Sequence, residues 1–301
     1  EGAGQKDRML SSFWQSVWLA IVSGFLLWTV LPFTRMFLPL TGHSPSVVEL
    51  EAQYLNILCA GAPIHMVGTA MSCFFSGRRR TKAVMFNSMA AVVVNGVVSY
   101  LLAYGVGPIP ALGIRGAAIG TVAARCFELG LYLVWILRES RRESLPLWST
   151  CAVDRGLLRQ FLRYGVPSGL HYFVDISGFT VFLLIVGNLN NQALAATNIA
   201  FSINGLIFVP LLGFGTAIQT VVGHHIGAGH FDAARATTRN AAIMGVLWTG
   251  SMGVILVLFP EWLLRPFFIF ANPETSGGAD IASLARTAAY LLNFVAAYSV
   301  F

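Results

Sequence analysis

Residues 166 to 187 read VPSGLHYFVDISGFTVFLLIVG, an apolar stretch that contains one imidazole, His171, and one carboxylate, Asp175. About 20 apolar residues is the length that a helix needs to cross the hydrocarbon core of a bilayer. A carboxylate near the bilayer centre costs roughly 3 kcal/mol or more, so such acids usually face a cavity, a partner or a transported cation. The stretch therefore predicts a membrane-spanning helix with a functional acid.

Apolar segments of similar length recur along the whole chain. Its 301 residues are 56% hydrophobic and 11% charged, with a mean hydropathy of +0.70, whereas a soluble domain has about 25% charged residues. The apolar segments lack the alternation of barrel strands. We therefore predict an all-α integral membrane protein with eight spanning helices. Besides 166–187, the predicted spans are 13–31, 54–75, 83–104, 113–137, 193–222, 241–259 and 284–301.

The basic residues lie between the predicted spans rather than on one exposed face. Fourteen of the nineteen Lys and Arg residues fall in alternate loops, among them the run 78–82 and the long segment 138–163. Because cytoplasmic loops carry an excess of Lys and Arg, this pattern places Glu1 in the cytoplasm and predicts a multi-pass protein of the cell (inner) membrane. We interpret the run 78–82 as a topology signal that contacts lipid headgroups. The distribution argues against a nucleic-acid partner, despite the net charge of +6.

The motif G-A-G-x-x-D occurs at 2–7 and again at 227–232, each time in a predicted cytoplasmic loop just before a span. Since both copies enter from the same side, they predict a parallel repeat of the kind found in secondary transporters. The repeat distance and the long basic segment predict two pseudo-repeated lobes, 1–150 and 151–301. With six helices in each lobe, the chain would contain about eight of twelve. It begins without Met and ends inside an apolar run, so we interpret it as an internal fragment lacking about two helices at each end.

Four stretches resemble the multidrug and toxic compound extrusion (MATE) family, in particular its NorM-like branch. They are NxxxSY at 95–100, LGIRGAA at 112–118, YGVP at 164–167 before Asp175, and GFGTA at 213–217 followed by GHHIGAG at 223–229. The resemblance implies a twelve-helix antiporter with two six-helix lobes. Such a protein uses Na⁺ or H⁺ to expel amphipathic, often cationic compounds from a central cavity.

The resemblance also implies roles for individual residues. Asp175 matches the acid of the family's seventh helix and Tyr298 the tyrosine of its tenth, which predicts both as cation-coupling residues. Asn95 matches the asparagine of the fifth helix, and Thr121 matches a polar position beside it in the sixth. Together with Ser99, they are predicted to contact the substrate or line the cavity. Ser99 stands where many members have an acid, which argues against a carboxylate site for a cation in the first lobe.

The residues themselves leave alternatives open for the predicted site on 166–187. Asp175 could instead be a structural carboxylate bound to a hydroxyl such as Ser177 or Thr180. His171 lies one turn before Asp175 on the same helix face, where it could orient the acid, share its proton or contact substrate. A polar contact with a neighbouring helix is an equal alternative for this histidine.

Other polar residues in the spans are candidates for substrate or cavity contacts. Arg125 and Glu128 are spaced i,i+3, which favours a salt bridge over a role for Glu128 in substrate binding. Asn204 is a candidate for a cavity or interhelical hydrogen bond. His224 and His225 point about 100° apart on a helix and have no third ligand nearby, so we predict no metal site.

Three function classes can be compared on these features. The sequence has no phosphate-binding loop, so an ion gradient must drive transport, and we expect no cofactor beyond the coupling ion. It also lacks H-E-x-x-H and G-x-S-x-G motifs, so we predict that it is not an enzyme. The alternative is a lipid-linked oligosaccharide flippase, in which Arg125 would bind pyrophosphate.

The expected partners are small amphipathic or cationic molecules, the coupling cation and the bilayer. The protein is expected to be a monomer.

The predicted topology can be tested with single cysteines. Arg79→Cys and Ser144→Cys, each in a full-length protein without native cysteines, should react with a membrane-impermeant thiol reagent only from the cytoplasmic side. Labelling of either position from outside intact cells would contradict the orientation and the parallel repeat.

Overall fold

The computed structural model describes residues 2–41, 44–105, 110–189, 191–260, 262–264, 287 and 290–292. These residues form helices joined by short turns, and no strand occurs among them. The all-α fold predicted from the sequence is confirmed. The helices are α1 Lys6–Trp28, α2 Leu31–Phe37 with a 3-10 turn Leu38–Thr41, α3 Pro45–Gly77, α4 Thr81–Tyr104, α5 Ile114–Glu143, α6 Arg155–Leu189, α7 Asn191–Gly227 and α8 Phe231–Leu258.

Seven segments of the described chain are long and apolar enough to cross a membrane. One combines α1 with the start of α2, Lys6–Thr34, and the others correspond to α3 through α8. Seven of the eight predicted spans coincide with these segments, and two of them, 113–137 and 241–259, extend one residue beyond. The chain is therefore a multi-pass membrane protein. The eighth predicted span, 284–301, lies almost wholly outside the described residues.

The chain separates into two compact units, residues 3–167 and 168–301, with the division after Pro167 inside α6. The first unit thus includes the connection between α5 and α6 as well as the first turns of α6. The lobes predicted at 1–150 and 151–301 were placed by the repeat rather than by packing, and they stay a prediction.

The connection between α5 and α6 packs against α1 and is hydrogen-bonded to it within the first unit. Leu145 and Leu147 are buried in the same core as Leu10, Phe13 and Phe75. Three side chains of α1 donate hydrogen bonds to backbone carbonyls of the connection: Trp14 to Leu147 at 2.6 Å, Gln15 to Ala152 at 2.8 Å and Trp18 to Cys151 at 3.0 Å. These bonds satisfy carbonyls that have no helical partner, which explains why this segment packs as part of the unit.

The two copies of G-A-G-x-x-D have the same local structure. Gly4 and Gly229 have φ of +70° and +78°, a conformation that glycine adopts without steric cost. Each lies two residues before the start of a helix, α1 or α8, and Asp7 or Asp232 falls in the first helical turn. An acid there interacts favourably with the partial positive charge of the helix N-terminus.

The α3–α4 connection repeats the backbone pattern of the α7–α8 connection. After each helix ends, the next three N–H groups donate to carbonyls four, three and five residues back. The middle residue of these three has positive φ, which is +78° for Gly229 and +60° for Arg79. The two turns therefore have the same backbone conformation, with glycine at the middle position of one and arginine at that of the other. The left-handed conformation costs the arginine roughly 1 kcal/mol.

Helices α4 and α5 approach closely where α5 has two glycines one turn apart. A Cβ atom on Gly120 would lie 2.6 Å from the backbone N of Ser99, and one on Gly116 would overlap the backbone of Leu102. Small residues at such positions let spanning helices contact through their backbones. The two glycines therefore set the distance between these helices.

The second unit has a separate core between α7 and α8. Its buried members include Ala200 and Ile203 on α7 and Leu256 on α8. Trp248 on α8 donates a hydrogen bond to the Ile207 carbonyl on α7 at 3.2 Å. Helix α6 contacts α7 through aromatic rings: the centroids of Phe179 and Phe201 are 4.6 Å apart.

The close approach of α4 and α5 can be tested with Gly120→Ala in the full-length protein. We expect destabilisation by roughly 1–3 kcal/mol, since the added methyl meets backbone rather than a side chain that can move. Gly130→Ala on the same helix is the matched control, because a Cβ there has nothing within 4 Å. Equal thermal unfolding midpoints for both variants in detergent would contradict the role given to Gly120.

Candidate coupling and substrate-binding sites

His171 and Asp175 form a pair on α6. The Nδ1 atom of His171 lies 3.0 Å from Oδ2 of Asp175, as expected for residues one turn apart on one helix face. The side chains are 79% and 62% exposed in the structure. The imidazole therefore orients the carboxylate without covering it.

The hydroxyls offered as alternative partners for Asp175 are not bound to it. Thr180 donates instead to the carbonyl of Ile176 at 2.8 Å, within the helix backbone. No hydrogen bond joins Ser177 to the acid in the part of the chain that the structure describes. Among the described residues, the only side chain that contacts the Asp175 carboxylate is thus the imidazole of His171.

Helix α6 has a proline two turns before Asp175. Pro167 has no N–H, so the carbonyl of Arg163 receives no helical hydrogen bond from it. The helix nevertheless continues to Leu189. Spanning helices tolerate such prolines where other groups can satisfy the released carbonyl.

Three predicted site residues meet at the contact of α4 with α5. Asn95 donates from Nδ2 to the hydroxyl of Thr121 at 3.2 Å, and Thr121 donates in turn to the Ala117 carbonyl at 3.1 Å. Ser99 donates to the same carbonyl at 3.3 Å. Each of the three is half-buried. Their hydrogen-bonding groups therefore hold the two helices together, and their proposed contact with substrate stays a prediction.

Arg125 and Glu128 form the ion pair that their spacing predicts. Nη1 of Arg125 lies 2.8 Å from Oε2 of Glu128, with the side chains 42% and 13% exposed. Asn87 on α4 donates to the backbone carbonyl of Glu128 at 3.0 Å. Glu128 is thus paired with a cation on its own helix, and its backbone carbonyl accepts a hydrogen bond from a buried amide of α4.

The remaining predicted residues are not joined to these groups. Asn204 is half-buried on α7, and no hydrogen bond of its side chain is seen within the described residues. Tyr298 lies outside the described residues. His224 and His225 are in the last turn of α7. No group of three or more His, Cys, Asp or Glu side chains within the described ranges could hold a metal ion.

The structure reveals an ionic cluster that sequence reasoning missed. Arg78 binds Glu139 at 2.7 Å and also Glu143, while Arg80 binds Glu139 at 2.8 Å and Glu143 at 2.9 Å. The run 78–82, which the sequence predicts to be a topology signal and a headgroup contact, therefore also forms ion pairs within the protein. The partners lie about sixty residues apart in sequence, on α5, so no local spacing could reveal them. The available signal was two glutamates within the basic segment 138–163, where each needs a cation.

The MatE family model matches residues 1–101 and 167–301 of the chain. The chain is also similar to proteins named "Probable multidrug resistance protein NorM". The relative in Thermotoga maritima is 28% identical over 272 residues, covering 88% of this chain and 57% of the relative. The one in Pseudomonas aeruginosa is 27% identical over 286 residues, covering 95% and 57%. The chain thus spans just over half the length of these relatives.

Solved structures share the fold. A eukaryotic MATE transporter superposes with a TM-score of 0.79 at 17% identity, covering 99% of this chain and 65% of that one. An outward-facing multidrug resistance transporter of the same family superposes with a TM-score of 0.74 at 20% identity, covering 99% and 72%. At these identities the likeness establishes the architecture alone.

The Arg125–Glu128 pair can be tested by a double-mutant cycle in the full-length protein. Glu128→Gln alone should lower stability by roughly 1–3 kcal/mol, because it leaves a half-buried cation unpaired. Adding Arg125→Gln should recover most of that loss, as measured by expression and thermal unfolding.

A matched control is the pair Asp232 and Arg235, which are also spaced i,i+3. Their charged atoms are 4.0 Å apart, and the side chain of Asp232 is fully exposed. Asp232→Asn should have little effect on stability, since exposed pairs contribute little. A stable Glu128→Gln protein that has lost transport would instead assign Glu128 to substrate binding.

Proposed function

The chain belongs to the MatE family of membrane transporters, and we propose that the full-length protein is a secondary antiporter of the cell (inner) membrane. In this proposal, entry of Na⁺ or H⁺ drives export of amphipathic or cationic compounds by alternating access. The observation that carries it is the His171–Asp175 pair, an exposed titratable couple on an apolar spanning helix. The names of the relatives, multidrug resistance proteins, support the class of substrate.

Asp175 is the proposed coupling residue. Its charge is costly in a membrane unless a cation, a proton or a partner neutralises it. His171 keeps one carboxylate oxygen in place at 3.0 Å, which leaves the other able to bind the coupling ion. Movement of one elementary charge across 100 mV releases about 2.3 kcal/mol. When the substrate is uncharged and exchanges one to one, that is enough for up to about fiftyfold accumulation per ion. A singly charged cationic substrate makes the exchange electroneutral, so the concentration gradient of the coupling ion alone drives it.

The proposed substrate contacts are polar side chains within the spans. In the first unit they are Asn95, Ser99 and Thr121, whose hydroxyl and amide groups already meet between α4 and α5. Asn204 is the corresponding candidate on α7, and Tyr298 is proposed as a second coupling residue. We propose that the protein acts as a monomer, with no cofactor besides the coupling ion.

The flippase alternative is less well supported. It requires an arginine available to bind pyrophosphate in the cavity, whereas Arg125 already forms a 2.8 Å ion pair with Glu128. The names of the relatives also point to drug resistance rather than to lipid-linked sugars. The names of the relatives also give no support for an intramembrane enzyme.

The experiment is uphill transport by Asp175→Asn in the full-length protein, reconstituted into vesicles. The substitution keeps the size and hydrogen bonding of the side chain but removes its charge. We expect normal insertion and retained binding of a cationic dye, yet no dye accumulation when an H⁺ or Na⁺ gradient is imposed. Asp232→Asn, which removes an exposed carboxylate at the start of α8, should transport like wild type.

Wild-type uphill transport by Asp175→Asn at matched protein levels would remove this residue from the coupling mechanism. Loss of dye binding together with transport would assign it to substrate recognition instead. Loss of transport in the Asp232→Asn control would show that the assay reports general damage.

A further inference from the structure

A small cavity lies where the ends of α3, α4 and α5 meet, at the side that the basic loops assign to the cytoplasm. Its volume is about 200 Å³, below the ~300–1,000 Å³ typical of sites for drug-sized ligands. One wall is cationic, formed by Arg80, Arg138 and Arg142. The size and the charge of this cavity suit a small anionic group rather than an exported cation.

The positive charge of the cavity is not balanced by its own carboxylates. Arg78 and Arg80 together pair with Glu139 and Glu143, so these four charges cancel. Neither Arg138 nor Arg142 pairs with a carboxylate among the described residues, and both side chains are exposed. Two uncompensated guanidinium groups therefore face the same cavity from one helix.

The rest of the cavity lining is apolar and aromatic. Phe75 on α3 is 1% exposed, and its ring meets the half-buried Trp135 of α5 edge-on at 6.1 Å. Ala83 in the first turn of α4 completes this wall. Tryptophan is typical of the membrane–water interface, where one end of its ring system is wet and the other apolar.

Helical spacing explains why aromatic and cationic side chains lie next to each other in this cavity. Trp135, Arg138 and Arg142 are spaced i, i+3 and i+7, so they lie on one face of α5. Along that face the side chains change from apolar to cationic towards the C-terminal end of α5. This is the order in which the acyl chains and the headgroup of a phospholipid follow each other.

We propose that this cavity binds the phosphodiester headgroup of an anionic phospholipid from the cytoplasmic leaflet. Arg138 and Arg142 donate charge-assisted hydrogen bonds to phosphate oxygens, a group that guanidinium geometry fits well. Trp135 packs against the glycerol and the first methylenes of the lipid, and the buried ring of Phe75 supports Trp135 from the protein side. The bound lipid thereby connects the cytoplasmic ends of three helices, whichever compound the protein transports.

The experiment titrates the full-length protein in detergent with phosphatidylglycerol or phosphatidylcholine and measures bound lipid by native mass spectrometry. We expect the wild type to prefer phosphatidylglycerol roughly tenfold or more, and Arg138→Gln with Arg142→Gln to lose most of that preference. The matched control is Lys82→Gln with Arg141→Gln, which removes the same charge nearby but outside the cavity walls. It should keep the preference within about twofold.

Equal loss in both double variants would show diffuse attraction of a basic surface and overturn the proposal. No preference in the wild type would also overturn it. Displacement of the lipid by millimolar sodium phosphate would show a site for a small anion and overturn the assignment to a lipid.

A second measurement needs no variant. Wild-type protein in vesicles of phosphatidylethanolamine with phosphatidylglycerol is photolabelled by a phosphatidylglycerol analogue whose reactive group lies next to the headgroup. The labelled peptides should contain 135–142 of α5 or 75–83 of the α3–α4 connection. Labelling confined to other peptides would contradict the proposed site even if the substituted proteins failed to fold.

Discussion

The cost of an unpaired charge in hydrocarbon constrains this molecule more than any other factor. It accounts for the distribution of polar groups in the spans. Arg125 is held by Glu128 on the same helix, and the amide of Asn95 by Thr121 on the next. Towards the end of α5, Glu139 is enclosed by two arginines from the α3–α4 connection. Asp175 differs, because its partner is an imidazole on an exposed helix face rather than a guanidinium group.

The same constraint applies to the backbone. Spanning helices satisfy their own N–H and C=O groups, which leaves close packing as the main way to hold helices together. Gly116 and Gly120 bring α4 and α5 into backbone contact, and the hydrogen bonds of Ser99 and Thr121 to Ala117 lie at that contact. The site residues of the first unit therefore depend on glycines that have no chemistry of their own.

Local patterns predicted much of this structure. Apolar run length located seven spans, and the i,i+3 and i,i+4 spacings predicted the Arg125–Glu128 and His171–Asp175 pairs. Contacts between distant parts of the chain could not be predicted in this way. The bonds from Trp14 to Leu147 and from Arg78 to Glu139 join residues with no periodic relation, and they form only because α1, α3 and α5 pack together.

We propose that Asp175 exchanges the coupling ion for substrate. The most direct test is to add tetraphenylphosphonium, an amphipathic cation, to the detergent-solubilised full-length protein in weak buffer. A pH indicator and a sodium electrode then record the ions that are released. We expect the wild type to release about one H⁺ or Na⁺ per bound probe, because the bound cation and the coupling ion compete for one carboxylate, and we expect no release from Asp175→Asn. Equal release by wild type and Asp175→Asn would show that Asp175 does not exchange the ion.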